Sequence, residues 1–150
     1  MGTGCRPGFL PKGDGKNVRG KAVTSVEDIR KYIEYKKKTE GIEKPIFRIF
    51  MMENADKELV YPAGIKSGFP DMGYNVDIGY YWDIEEAVEA VKNNVCDIRE
   101  TIYDAAFILC HFPGVYQTTT TESRMYFRWD EEKKQYCQEE EPAIFAHISL

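Results

Sequence analysis

The sequence contains few residues whose types and spacing could support chemistry, and the closest match is to a phosphate-binding loop. Residues 15–21 fit the first seven positions of that pattern, in which backbone amides and a lysine hold the phosphates of a nucleotide. The eighth position is Ala22, where Ser or Thr must hold Mg²⁺, and no apolar strand precedes the loop. The sequence therefore argues against nucleotide hydrolysis. It leaves open a simpler phosphate or polyanion site, made of backbone amides with Lys16, Arg19 and Lys21.

Two histidines and four cysteines are the other candidate ligands or nucleophiles. Cys110 and His111 are neighbours, but adjacent side chains on a strand point to opposite faces, so these two cannot form a nucleophile–base pair. His111 and His147 lack the close spacing of a metal site. The four cysteines contain no C-x-x-C pair, which argues against a disulfide framework and a zinc ribbon. We predict reduced, mostly buried thiols.

Runs of acidic residues could in principle supply general acids. A general acid needs a desolvated site that raises its pKa, whereas these runs fall at helix starts and in turns. We therefore predict that they are solvated: Glu85-Glu86, Glu131-Glu132 and Glu139-Glu140-Glu141. The sequence thus predicts no catalytic residue, no metal site and no cofactor.

Composition and charge set the class of protein. The chain has 150 residues, of which 43% are apolar, enough for one domain that buries a core without disulfides or metal. Residues 1–44 carry eleven Lys and Arg against six Asp and Glu, so the remainder carries nine of the 20 basic and nineteen of the 25 acidic residues. This uneven distribution of charge indicates either a basic N-terminal arm that binds a polyanion or an arm that packs against the acidic remainder of the chain.

The lengths of the apolar runs indicate where in the cell the protein is expected. No run approaches the roughly 20 residues that cross a bilayer, and the first residues lack the apolar region of a secretory signal. We expect a cytoplasmic protein with no membrane contact.

Residues 1–24 are predicted to form a glycine-rich basic arm, and residues 25–150 an α+β domain. Phe9 and Leu10 are expected to hold the arm against the body or a neighbouring subunit. The first helix is predicted to begin after Ser25, whose hydroxyl and the Asp28 carboxylate can form a capping box, and to end at Gly41. Further elements are expected as follows: a strand at 46–52, a strand at 76–82, a helix capped by Asp83 that ends at Asn93-Asn94, a strand at about 103–112 closed by Pro113-Gly114, a hairpin of 124–130 with 135–138, and a short helical turn or edge strand in the tail. Residues 97–106 remain open between helix and strand.

Residues 54–75 are rich in Gly, Pro, Asp and Asn, and they are predicted to form a long loop with a short edge strand at Leu59–Tyr61. Long loops often carry function, so this segment is a candidate binding surface through Tyr61, Phe69 and Tyr74.

The aromatic residues of the strands supply a second candidate surface. They make up a tyrosine- and tryptophan-rich group: Tyr80, Tyr81, Trp82, Tyr126 and Trp129. Alternation along the strand at 124–130 places Met125, Phe127 and Trp129 on one face and Arg124, Tyr126, Arg128 and Asp130 on the other. Tyr126 and Arg128 are therefore predicted to form an aromatic and arginine binding surface. The alternative is a tyrosine-rich sheet packed under the helices.

The predicted fold is one α+β domain with a mixed or antiparallel sheet of about five strands and two helices on one face. Eight residues lie on the apolar face of their elements and are predicted to share one core: Ile49, Phe50, Ala87, Val91, Phe107, Leu109, Phe127 and Trp129.

Several short motifs follow one another in the second part of the chain: Gly79-Tyr-Tyr-Trp-Asp83, Asp97-Ile98-x-Glu100, Pro113-Gly114-Val-Tyr116, Tyr126-Phe-x-Trp-Asp130 and Glu141-Pro142. Their order resembles small uncharacterised α+β proteins of bacteria and their phages, over residues 45–150. That family has no assigned activity, so the resemblance implies no functional residue.

Three functions follow from these observations. The first is a non-enzymatic protein-binding or inhibitor module, which would bind a partner protein or self-associate. The second is nucleic-acid or nucleotide binding through the arm, and the third is a small enzyme with its site near residues 54–75.

Overall fold

A computed structural model describes residues 23–41, 44–53, 57–95, 98–99, 102–114, 118–146 and 148–150. Several predictions lie outside these ranges. They concern the arm residues Phe9, Leu10, Lys16, Arg19 and Lys21, the cysteines Cys5 and Cys96, and His147.

The predicted α+β class is confirmed by two helices and two antiparallel sheets. Helix α1 spans Val26–Glu40 and helix α2 spans Ile84–Lys92. The strands are β1 (Ile46–Met52), β2 (Glu58–Tyr61), β3 (Ile65–Pro70), β4 (Asn75–Tyr81), β5 (Ala105–His111), β6 (Arg124–Asp130) and β7 (Gln135–Gln138). Five of them form the main sheet in the order β4-β1-β5-β6-β7, and β2 pairs with β3 in a separate hairpin. Among the described residues, no helix is both long and apolar enough to cross a membrane.

Both helices begin at the predicted caps. The Asp28 amide donates to Oγ of Ser25 at 3.1 Å, and the Ser25 amide donates to Oδ2 of Asp28 at 3.0 Å. The Glu86 amide donates to Oδ2 of Asp83 at 3.3 Å. Gly41 ends α1 with φ of 69°, a left-handed conformation that glycine adopts without strain. These caps satisfy amides that a helix leaves without partners, so they fix where each helix starts.

The helices cover one face of the main sheet and bury the helix-side core. The buried part of this core comprises Ile29, Tyr32, Phe47, Ile49, Met51, Ile84, Ala87, Ala90, Val91, Tyr103, Ala106, Ile108, Cys110, Phe112, Met125, Phe127 and Tyr136, and Trp129 packs partly buried against it. The prediction of a single core is wrong. Phe50, Phe107 and Leu109 face the other way, because successive residues of β1 and β5 alternate between the two faces.

The opposite face carries a tail-side core, formed by Met52, Ala105, Phe107, Leu109, Tyr126 and Phe145. The C-terminal tail, described at residues 139–146 and 148–150, covers it with a helical turn at Ala143–Phe145. Phe107 packs between the rings of Tyr126 and Phe145, with centroid distances of 5.1 and 5.4 Å. The helical-turn alternative for the tail is therefore the one that the structure adopts.

Arg124 joins the tail to the sheet, and it corrects the prediction that Glu141 is solvated. The Arg124 side chain is fully buried and its Glu141 partner is only 10% exposed. Nε and Nη2 of Arg124 donate to the two carboxylate oxygens of Glu141 at 2.8 and 2.6 Å. The remaining donors reach the carbonyls of Thr119, Ile148 and Phe145 at 2.8 to 3.0 Å. The tail brings all these acceptors to one guanidinium.

Two segments differ from their predicted structure. Residues 58–70, expected as loop apart from Leu59–Tyr61, form the β2–β3 hairpin around a tight turn at Pro62–Gly64. Among residues 98–104, those described are turn and irregular backbone, and β5 begins at Ala105 rather than at 103.

Candidate interaction surface

Exposed apolar side chains are concentrated in one stretch of the chain. Of the twelve large hydrophobic residues that are exposed within the described ranges, nine fall between positions 59 and 82, and we refer to them as the 59–82 surface: Leu59, Val60, Tyr61, Ile65, Phe69, Tyr74, Val76, Tyr80 and Trp82. Seven of the nine are more than half exposed. Single exposed apolar residues are common on monomeric proteins. These nine are close in sequence and belong to the β2–β3 hairpin and to β4 with its flanking residues, so one partner would have to span both to cover them.

The β2–β3 hairpin supplies four of the most exposed members. It is attached to the body through its second strand, which contacts the turn at Ala143–Phe145, and through Met72, which packs on the tail-side core. Two strands cannot bury both of their own faces. Val60, Tyr61, Ile65 and Phe69 therefore remain in solvent, on a hairpin that contacts the tail.

The far end of β4 supplies the aromatic members. Tyr80 and Trp82 meet edge to face, with ring centroids 6.1 Å apart, and Nζ of Lys44 lies 5.3 Å from the Trp82 ring centroid. Tyr80 pairs across the sheet with Arg48, whose neighbours Phe47 and Ile49 belong to the helix-side core. Tyr80 therefore lies on the tail side, because cross-strand partners share a face.

Arg48, Asp77 and His111 form a polar cluster on the same side of the sheet. Arg48 makes an ion pair with Asp77, and its Nη1 lies 2.7 Å from Nδ1 of His111. A guanidinium can only donate, so Nδ1 accepts and the neutral ring carries its proton on Nε2. Burial, followed by the charge of Arg48, lowers the pKa of His111, while the Leu150 carbonyl and Asp77 act in the opposite direction. His111 is thereby favoured in its neutral form.

The thiol next to His111 lies on the other face. Cys110 is buried in the helix-side core, and burial raises its pKa to about 12. This placement agrees with the prediction that Cys110 and His111 cannot act together. Within the described ranges, no group of three or more His, Cys, Asp or Glu side chains is placed to hold a metal ion.

The predicted binding residues divide into two groups. Tyr61, Phe69 and Tyr74 are exposed and belong to the 59–82 surface. Tyr126 is only 3% exposed, so the predicted surface around Tyr126 and Arg128 is wrong. Its face was correctly assigned, but the tail covers that face, and Nη1 of the half-buried Arg128 lies 3.3 Å from the Tyr126 hydroxyl.

Sequence reasoning missed the grouping of Lys44, Arg48, Tyr80 and Trp82. The sequence predicts the strand that carries Tyr80 and indicates that its aromatic residues form a group. The missing information was strand order, because only an edge position leaves Tyr80 and Trp82 beside open solvent.

Comparisons of the chain with protein-family models, with curated proteins and with solved structures find no match. The resemblance to small bacterial and phage proteins therefore stays a prediction. Any function has to be argued from the surface itself.

Proposed function

We propose that the chain is a non-enzymatic protein-binding module whose partner covers the 59–82 surface. The observation that supports this most strongly is the concentration of nine of the twelve exposed large hydrophobic residues in this stretch. An inhibitor is one form that such a module takes.

The residue types favour a protein partner. Tyr, Trp and Arg dominate the binding energy of protein interfaces. This surface presents Tyr61, Tyr74, Tyr80 and Trp82, and Arg48 lies opposite Tyr80 in the sheet. Burial of apolar area contributes roughly 25 cal/mol per Å², and a standard interface buries about 800 Å² on each partner. A partner that spans the hairpin and the end of β4 gains this contribution from side chains that the fold itself leaves in water.

The aromatic side chains of the hairpin are largely outside the packed interior of the fold. Tyr61 and Phe69 are more than half exposed, and neither is a member of the helix-side or the tail-side core of the described residues. Exposed aromatic residues carry a risk of aggregation, so a fold that presents them in one place is consistent with a partner that covers them.

The two alternatives lack comparable support. The segment proposed to hold an enzyme site forms a hairpin that points apolar side chains into solvent. The polyanion-binding residues of the arm lie outside the described ranges, and residues 45–150 carry an excess of acidic residues that repels nucleic acid.

A displayed library of natural protein fragments tests the proposal. The wild-type chain is used as bait beside a surface variant, Tyr61→Ser/Phe69→Ser/Trp82→Ser, and a control variant, Tyr35→Ser. Tyr35 is exposed on α1, outside the surface. We expect selected fragments to lose at least about tenfold in affinity for the surface variant, since hot-spot truncations cost 2 kcal/mol or more, and to bind the control as they bind wild type.

Circular dichroism and urea unfolding first establish that both variants fold. Failure to select any fragment, or fragments that bind the surface variant as tightly as wild type, would overturn the proposed function.

A further inference from the structure

Strand β4 forms an edge of the main sheet. It pairs with β1 on one side, and no described strand pairs with it on the other. Natural edges are commonly blunted by short strands, charges or bulges. β4 is not short, since it has seven residues. Its one charged side chain, Asp77, forms an ion pair with Arg48. A bulge at Ile78 interrupts the hydrogen-bond ladder between β4 and β1. The regular edge nearest the exposed aromatic residues is Gly79–Tyr81.

The two sides of this edge differ in chemistry. On the helix side, a groove of about 340 Å³ runs between Tyr81 and α2. The surface that lines it is mostly apolar, and four acidic residues, Asp83, Glu85, Glu86 and Glu89, are among the residues around it. Among the described residues only Glu85 has a cationic partner there, Arg30 at 3.3 Å. On the tail side lie the rings of Tyr80 and Trp82, with Lys44 and Arg48 beside them.

We propose that the partner adds an extended segment to the edge of β4, and that this segment alternates basic and apolar residues. The inference rests on the proposed protein-binding function and specifies its partner. Side chains of an added strand alternate between the two faces of the sheet. Lys or Arg at every second position would lay its apolar stem in the groove and bring its charge to the acidic residues around it, and the apolar residues between them would pack on Tyr80 and Trp82.

Charge also decides between this partner and a second copy of the chain. A two-fold pairing of β4 with β4 of another copy would continue the sheet and place both α2 helices on the same face, beside the junction. The carboxylates of Asp83, Glu86 and Glu89 would then lie close to their counterparts, and juxtaposed like charges disfavour association. On the tail side, the positive charges of Lys44 and Arg48 disfavour basic side chains. The basic residues of the added strand are therefore expected on the helix side and the apolar residues on the tail side.

Synthetic peptides provide the test. The probe is a ten-residue peptide of alternating Lys and Val with blocked ends, and its affinity is measured through a fluorescent label. The first control replaces Lys with Glu. The second is a pair of peptides with N-methyl groups on alternate amides, one peptide for each register, and each lacks the N–H donors along one edge of the strand. We expect binding of the Lys-Val peptide that weakens with salt, no binding of the Glu-Val peptide, and loss of binding in one of the two N-methyl registers.

Matched variants locate the groove. Glu86→Gln/Glu89→Gln is expected to weaken the Lys-Val peptide by about tenfold, as removal of close charge pairs does. Glu139→Gln/Glu140→Gln removes the same charge from exposed positions outside the groove and should leave affinity unchanged. Slowed amide exchange at residues 79–81 in the complex would add support.

Three outcomes overturn the inference. They are equal binding of the Lys-Val and Glu-Val peptides, equal affinity in the groove and control variants, and a dimer of the free chain that a substitution in β4 disrupts. The proposed function fails separately. If fragments selected by the wild-type chain still depend on Tyr61, Phe69 and Trp82 while the Lys-Val peptide does not bind, the module binds protein but not through an added basic strand.

Discussion

Arg124 shows how one buried charge can determine where a long segment lies. Its five N–H groups all have acceptors: two in the Glu141 carboxylate and three in carbonyls of Thr119, Phe145 and Ile148. A buried ion pair contributes little net stability compared with apolar residues of the same size, but removal of one partner leaves the other charge buried and unpaired.

We therefore predict that Arg124→Met lowers the free energy of unfolding by about 3–5 kcal/mol. The additional change Glu141→Gln should restore part of the loss, because it removes the unpaired carboxylate. Arg128→Met is the control, since that side chain is 28% exposed and should cost much less. Urea unfolding measures all three, and an Arg124→Met variant as stable as the Arg128→Met variant would contradict the role assigned to the buried pair.

His111 should give the fold a pH dependence. Its pKa in the folded chain lies below the ordinary value of 6.5, mainly because of burial and then because of Arg48. The unfolded chain therefore binds more protons than the folded chain in this range, and stability must decrease as the pH falls below the ordinary histidine value. Asp77 and the Leu150 carbonyl reduce the effect without reversing it.

The expected result is a smaller free energy of unfolding at about pH 5.5 than at about pH 7.5. In His111→Gln this difference should be smaller than in wild type. The chain has one other histidine, His147, and His147→Gln should retain the contribution of His111. Urea unfolding at the two pH values gives the difference directly, and an unchanged difference in His111→Gln would refute the assignment.

The central strands are buried in the core, whereas the β2–β3 hairpin exposes its apolar side chains. β5 is buried at six of its seven positions, and Phe107 has no exposed surface. The β2–β3 hairpin, in contrast, presents Phe69 with more than half of its surface in solvent. If the hairpin aromatics serve binding, their removal should leave stability unchanged.

We predict that Phe107→Ala lowers the free energy of unfolding by about 3–5 kcal/mol, as large-to-small changes in a core do. Phe69→Ala removes the same atoms from an exposed site and should change it by less than about 0.5 kcal/mol. Thermal or urea unfolding of the two variants makes the comparison. A large destabilisation by Phe69→Ala would mean that the hairpin aromatics stabilise the fold rather than a complex.

The strands and helices that sequence predicts well are those whose signals are local. Ser25 and Asp83 carry their capping partners within three residues, and β1 is a continuous apolar run. Pro62 and Gly64 indicate a turn, but Ala63 between them has φ of 71°, a conformation that few residues other than glycine adopt, so the sequence does not indicate the tight turn of a hairpin. The order of the strands depends on distant pairings and cannot be read from local patterns.

The error about Phe50 is one of alternation, because it is adjacent to Ile49 on β1 and therefore faces the other side of the sheet. The errors about Tyr126 and Glu141 have a different cause. Each was placed on the correct face or in the correct segment, but the environment of that face is created by the tail, which folds back on the sheet. The same reasoning could identify Tyr61, Phe69 and Tyr74 as candidates, because the 54–75 segment lacks the regular apolar pattern of a core element. Sequence reasoning could not show that Tyr61, Phe69 and Tyr74 belong to the same candidate surface as Tyr80 and Trp82.

The main sheet is covered by the helices on one face and by the tail on the other. Its edge strand β4 lies beside exposed apolar residues, and no described strand pairs with its outer side. A partner that covers the 59–82 surface must slow the exchange of backbone amides there. Hydrogen exchange of the chain, free and in complex with a fragment selected from the displayed library, therefore tests the central claim most directly. We predict slowed exchange at residues 58–82 and unchanged exchange in α1 and β7. Protection confined to other parts of the chain, with residues 58–82 exchanging as in the free protein, would contradict it.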